Sequence, residues 1–164
     1  MSDVRKLAVI GAGTMGSGIA LVAASKGIDV ALIDVSDEQL AAASGYHAKT
    51  MDRNVQKERM SREDADSALA RITGLSDMND ASDADWVVEA ATEDATLKAK
   101  IFEQIDDHAP ASAILASNTS SISITQIAGA TERPEQVIGM HFFNPVPVMT
   151  LVEVVRGLAT SDAT

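Results

Sequence analysis

Histidine exchanges protons near neutral pH more readily than any other side chain, and this chain has three. His141 is the one with useful neighbours. It lies in an apolar run, 137–143, followed by Asn144, Pro145, Val146 and Pro147. A second apolar run, 148–155, carries Glu153 among valines and leucine. A proline-constrained turn that folds one run back on the other would bring a carboxylate to an imidazole 12 positions away. The pair is then an acid/base candidate, the carboxylate holding one ring nitrogen while the other exchanges a proton. A structural His satisfied by backbone bonds, beside a rim Glu, fits the same residues. His47 and His108 lack comparable neighbours and read as helix-surface residues.

A second constellation is Gly11-x-Gly13-x-x-Gly16, directly after the apolar run 7–10. Glycine clusters serve plain turns too, but this one follows a strand-like run and opens a helix-like one. Asp34 ends the next apolar run 18 residues after Gly16, near the spacing of an acid that accepts ribose hydroxyls. In that setting Gly11 turns the chain, Gly13 lets a pyrophosphate approach the backbone, and Gly16 packs helix on strand. The helix N-terminus offers amides to phosphate. Asp34 favours NAD over NADP, because a carboxylate repels a 2′-phosphate and no Arg or Lys follows closely.

Lys49, Arg53 and Lys57 recur every four residues, with Thr50 seven before Lys57, so they share a helix face. They are either a solvated stripe paired with Asp52 or Glu58, or a receiver for phosphates. The formal net charge of −11, from 13 Lys and Arg against 24 Asp and Glu, opposes nucleic acid and anionic membranes as partners. With no Cys there is no disulfide, thiol nucleophile or Cys-ligated zinc, and no metal is expected. The run Ser117, Asn118, Thr119, Ser120 and Ser121 could cap a following helix or touch a substrate. The methionines and Trp86 read as core.

These residues need a frame. The 164 residues suit one domain, 1–164. Runs 7–10, 30–33, 86–90, 113–116, 137–143 and 148–155 read as strands. Helices are predicted from the glycine turn to Lys26, from a Ser36/Gln39 capping box to about Glu58, and from Ser61 to about Arg71. Gly74 falls in a turn or short strand and 76–85 in a loop. Thr92 and Glu93 are predicted to cap a helix with Leu97, Ile101, Phe102 and Ile105 on one side, stopped by Pro110; a short helix precedes Gly129. Strands alternating with helices give an α/β domain with a doubly wound, Rossmann-like sheet. The turns at Gly11, Asp34, Thr92 and Ser117 then line one crevice. The amino terminus reaches its first apolar run of four residues at once, too short for a signal peptide or span, so the expected address is cytoplasmic or matrix-like.

Taken together, 7–16, 87–90 with Glu93, 117–121 and above all His141-Phe-Phe-Asn-Pro-Val-Pro-Val-Met149 resemble the amino-terminal domain of L-3-hydroxyacyl-CoA dehydrogenases, nearest to the bacterial 3-hydroxybutyryl-CoA members. The last motif is specific, whereas the glycine fingerprint is common to many dehydrogenases. The resemblance implies hydride exchange between NAD and the 3-position of a short-chain acyl-CoA. His141 would take the hydroxyl proton, Glu153 would orient it, and Ser120 would contact substrate. Gly11, Gly13, Thr14, Met15, Gly16, Asp34, Glu93, Lys98, Asn118 and Asn144 would hold the cofactor or frame the site. Thr50, Arg53 and Lys57 would receive coenzyme A, with Thr50 in place of the commoner Ser.

Family members continue into a helical domain that supplies a catalytic Asn, closes over the substrate and forms a homodimer interface. The chain ends at Thr164, so the expectation is the NAD-binding, His-bearing domain without that partner. Two other readings remain: a cofactor module with no turnover of its own, and a dehydrogenase of sugar acids. Phe142, Phe143, Asn144 and the basic stripe argue against the second.

Overall fold

A computed structural model describes residues 4–164; residues 1–3, where the sequence reading of the amino terminus begins, lie outside the described residues. Seven strands form one sheet: β1 (Lys6–Ile10), β2 (Asp29–Ile33), β3 (Ile72–Leu75), β4 (Trp86–Glu89), β5 (Ile114–Ser117), β6 (Val137–Phe142) and β7 (Val152–Arg156). Their order is β3-β2-β1-β4-β5-β6-β7. All neighbours pair in parallel except β6 and β7. Strand order reverses between β1 and β4, and sheets of this kind bind ligands at the carboxyl ends of the strands flanking that switch.

Five helices cover the two faces: α1 (Thr14–Ser25), α2 (Asp37–Gln56), α3 (Arg62–Ala70), α4 (Ala95–His108) and α5 (Ile124–Ala128). On one face Val9, Val30, Leu32, Val88 and Ile138 pack with Ile19, Ala20 and Ala24 of α1 and Ala43 of α2. On the other, Ala8, Ile10, Val87, Leu115 and Val137 pack with Phe102 and Ile105 of α4 and Ile124 and Ile127 of α5. Successive strand side chains alternate between faces, so continuous apolar runs are what a sheet covered on both sides requires. Leu21, Met51, Ala65 and Ala68 join α1, α2 and α3 in a further small cluster.

The helix starts lie where the polar residues set them. Ser36 accepts the Gln39 N–H and Ser61 the Asp64 N–H, each satisfying a first-turn donor. Other expectations need correcting. Asp94, not Thr92 or Glu93, caps α4, accepting the Leu97 N–H at 2.7 Å, because Thr92 and Glu93 are engaged elsewhere. The buried side of α4 carries Lys98 with Phe102 and Ile105, while Leu97 is exposed. Ser123 caps α5, and the hydroxyls of Ser117, Thr119 and Ser120 donate to the Glu89 and Glu93 carboxylates instead. The last strand begins at Val152 and not at 148, because the amides of Val148 and Met149 turn back to the Pro145 carbonyl. Trp86 is only partly buried and Met149 is exposed, whereas Met51 is core. His47, expected on the surface, is 3% exposed beneath α1.

Candidate active site

The first turn of α1 has no side-chain cap and no acidic residue, so its free amides and the positive end of the helix are available to an anion. The glycines before it have separate causes. Gly11 has φ +102, and a Cβ there would come within 2.7 Å of the Ala91 Cα. At Gly16 a Cβ would lie 1.8 Å from the Gly11 carbonyl oxygen. At Gly13 it would meet no protein atom within 4 Å, so the protein's own packing does not demand glycine there. A pyrophosphate laid against the backbone does, which is the fit expected of a dinucleotide. Asp34, at the end of β2, accepts the Ala12 N–H at 2.7 Å and the Ser36 N–H at 2.9 Å. The first bond ties the carboxylate to the glycine turn and the second to the start of α2, and lone pairs remain for ribose hydroxyls.

Across the switch point the turn after β4 carries Glu93. It accepts the Thr119 hydroxyl at 2.8 Å, the Ser120 N–H at 2.9 Å and the Ser120 hydroxyl at 3.1 Å. Burial alone would raise its pKa, but these donors, with the Lys98 ammonium 4.0 Å away, hold it below the usual value. Asn118 accepts the Phe142 N–H at 2.8 Å and so ties the end of β5 to β6. Glu89, which sequence reasoning passed over, lies under this turn. Its carboxylate pairs with the buried Lys98 and accepts the Ser117 hydroxyl at 2.8 Å and the Ala91 N–H at 2.9 Å. An acid closing a buried apolar run was the available signal.

His141 and Glu153 are register partners on antiparallel β6 and β7. The His141 Nδ1 and Glu153 Oε2 are 2.8 Å apart. In the neutral ring this fixes the proton on Nδ1, which donates to the carboxylate and leaves Nε2 free to accept. The Phe143 ring packs against the imidazole at a centroid distance of 4.7 Å. His141, Ser120, Glu93, Lys98, Asn118 and Met15 share one cavity of about 390 Å³. Asn144 lines both this cavity and a neighbouring one that runs along Gly13 and Thr14.

Farther out on α2, Lys49, Thr50 and Arg53 line a hollow with Tyr46 and Gln56. Asp52, the expected partner of the stripe, is taken by Arg62 at 2.8 Å. Lys57 caps the end of α2 and is not among the residues lining that hollow. His47 contributes structurally, its Nε2 lying 2.9 Å from the Ser17 carbonyl oxygen. No helix among the described residues is long and apolar enough to cross a membrane.

A doubly wound sheet with a glycine turn, an acid closing β2 and a His–carboxylate pair beyond β5 defines a dinucleotide-binding domain of the dehydrogenase class. Residues 6–164 match the family described as 3-hydroxyacyl-CoA dehydrogenase, NAD binding domain, and the chain belongs to that family. It is 48% identical over 161 residues to a 3-hydroxybutyryl-CoA dehydrogenase of Bradyrhizobium diazoefficiens, covering 98% of this chain and 55% of the relative. It is also 48% identical to a 3-hydroxyadipyl-CoA dehydrogenase of Escherichia coli, covering 34% of that protein. The solved (S)-3-hydroxybutyryl-CoA dehydrogenase of Ralstonia eutropha superposes with a TM-score of 0.96 at 49% identity, over 98% of this chain and 57% of that one. The chain thus spans about half the length of the 3-hydroxybutyryl-CoA dehydrogenases it matches. NAD is the cofactor of the matched family.

Proposed function

We propose that residues 1–164 form the cofactor-binding and proton-transferring domain of an NAD-dependent 3-hydroxyacyl-CoA dehydrogenase, interconverting 3-hydroxybutyryl-CoA and acetoacetyl-CoA. The observation that carries this reading is the His141–Glu153 bond at 2.8 Å, in a wall of the cavity that also holds Ser120 and Glu93. Bound NAD supplies the two-electron acceptor at its nicotinamide ring. Gly11, Gly13, Thr14, Met15 and Gly16 shape the cradle for its phosphates, and Asp34 takes the ribose hydroxyls. Glu93, Lys98, Asn118 and Asn144 frame the nicotinamide end. As C3 of the substrate is oxidised, the His141 Nε2 accepts the proton of its hydroxyl group, and the Glu153 carboxylate steadies the imidazolium that forms. Ser120, whose hydroxyl proton rests on Glu93 in the free domain, contacts the substrate by turning that proton to the substrate oxygen.

Thr50 and Arg53, with Lys57 at the end of α2, receive the phosphates of coenzyme A. The positive charge of Arg53 and Lys57 opposes the acidic surface that would otherwise repel such a ligand. In the whole protein we place the enzyme in the cytoplasm as a homodimer. The test is NADH oxidation by acetoacetyl-CoA, with folding and NADH binding checked on the same sample. Turnover lost in His141→Ala at unchanged NADH affinity supports the assignment. Parallel loss of both would sink the proton-transfer role. NADH binding without turnover by the 164-residue chain would make it a cofactor module, the second reading.

A further inference from the structure

Glu89 is the most deeply buried acid near the site, 0% exposed at the end of β4, and the proposed chemistry gives it no task. Its carboxylate collects donors from the turn, from β5 and from α4: the Ala91 N–H, the Ser117 hydroxyl and the Lys98 ammonium. Lys98 is itself 1% exposed. A buried ion pair stabilises a fold little better than apolar residues of the same volume, so its presence at a cavity wall points to a use for charge or position. The Lys98 ammonium, held by Glu89, stands 4.0 Å from the Glu93 carboxylate, and Lys98 and Glu93 both line the His141 cavity. Two carboxylates and one ammonium leave this wall with one net negative charge. Without Glu89 it would be neutral, Lys98 cancelling Glu93 instead.

Oxidised and reduced nicotinamide differ by one positive charge on the ring, so the charge of an adjacent wall discriminates between them. We propose that Glu89 is a positioning residue that neutralises Lys98, leaving the Glu93 carboxylate uncompensated, and thereby biases the domain toward the oxidised cofactor. This rests on the nicotinamide lying in the His141 cavity. A residue that merely packs β4 against β5 and α4 would affect both cofactor forms alike.

The test is the ratio of dissociation constants for NAD+ and NADH, measured by calorimetry on the chain and on Glu89→Gln. Glutamine keeps the shape and, through Oε1, the acceptor for the Ala91 N–H while removing the charge; its NH2 group replaces the oxygen that faced Ser117 and Lys98. The Kd ratio of NAD+ to NADH is expected to rise by about threefold or more; a ratio that does not move, with both forms still bound, overturns the proposal alone. Because the substitution leaves Lys98 buried without its counter-ion and can prevent folding, a second variant removes both partners, Glu89→Gln with Lys98→Met, a change that buried pairs tolerate better. With Glu93 still uncompensated, its Kd ratio is expected to stay within about twofold of the unaltered chain, and a rise of about threefold or more overturns the proposal. If the unaltered chain binds neither cofactor form, the placement of the nicotinamide fails and the role of Glu89 fails with it.

Discussion

Gly13 and Gly16 stand three residues apart in one motif, yet adding a methyl group to each should have opposite consequences. At Gly16 the new Cβ would lie 1.8 Å from the Gly11 carbonyl oxygen. Relief needs a backbone shift of more than about 1 Å on one side, and overpacking of that kind costs about 1–3 kcal/mol or more. At Gly13 nothing stands within 4 Å and φ is −67, a conformation that alanine adopts freely. There the entropy lost from the unfolded chain favours alanine by about 0.4–1 kcal/mol. Its poorer standing as a helix N-cap acts the other way, so net stability should hold within about 1 kcal/mol. Affinity is another matter, because the methyl group occupies the line along which a pyrophosphate reaches the first-turn amides. Loss of one charge-assisted hydrogen bond, about 1.5–3 kcal/mol, weakens NADH binding by about tenfold to a hundredfold. Urea unfolding and NADH fluorescence titration on each variant measure both quantities. Gly13→Ala should retain its unfolding midpoint and lose affinity, and Gly16→Ala should lose both. A Gly13→Ala protein that binds NADH normally would refute the reasoning.

Other substitutions probe the frame and the electrostatics. Phe102, 0% exposed under the sheet, should cost about 3–5 kcal/mol on truncation to alanine, seen as a lower urea midpoint at constant slope; a loss below about 1 kcal/mol would contradict its place in the core. Asp34→Ala should narrow the preference for NADH over NADPH, and an unchanged affinity ratio would count against the ribose assignment. Burial holds the pKa of His47 below its ordinary value, against the opposing pull of the Ser17 carbonyl. The folded state therefore binds fewer protons than the unfolded chain in that interval. The associated stability is complete above about pH 6.5 and is lost as pH falls through the lowered value. Urea midpoints measured from pH 7.5 down to 5 should show this decline, and His47→Gln should flatten it; an equal slope in both proteins would exclude His47 as its source.

What could be read from the sequence was what is local. The glycine turn, Asp34 and the caps Ser36 and Ser61 each act within a few residues of themselves, and continuous apolar runs announce a sheet covered on both faces. The His141–Glu153 approach was legible because only the proline turn separates the two runs. Burial of His47 depends on α1 and α2 being offset so that Ser17 faces the middle of α2, and no periodicity encodes that offset. The Glu89–Lys98 pair joins a strand end to a helix that packs across it, so a charged residue on the inner side of α4 displaced the expected Leu97. The late start of β7 follows from amides of residues 148 and 149 turning back to Pro145, a choice that apolar composition does not reveal.

The most direct measurement is a titration of the 15N-labelled chain with NADH, following the backbone amides and the His141 ring protons together. The expected result is one saturable curve shared by the amides of residues 12–16, Ser36, 91–93 and 118–120, with the His141 ring shifting in step. Shifts confined to other surfaces, or a glycine turn that responds while His141 and Ser120 do not, would contradict a single site that places the cofactor beside the proton-transferring histidine.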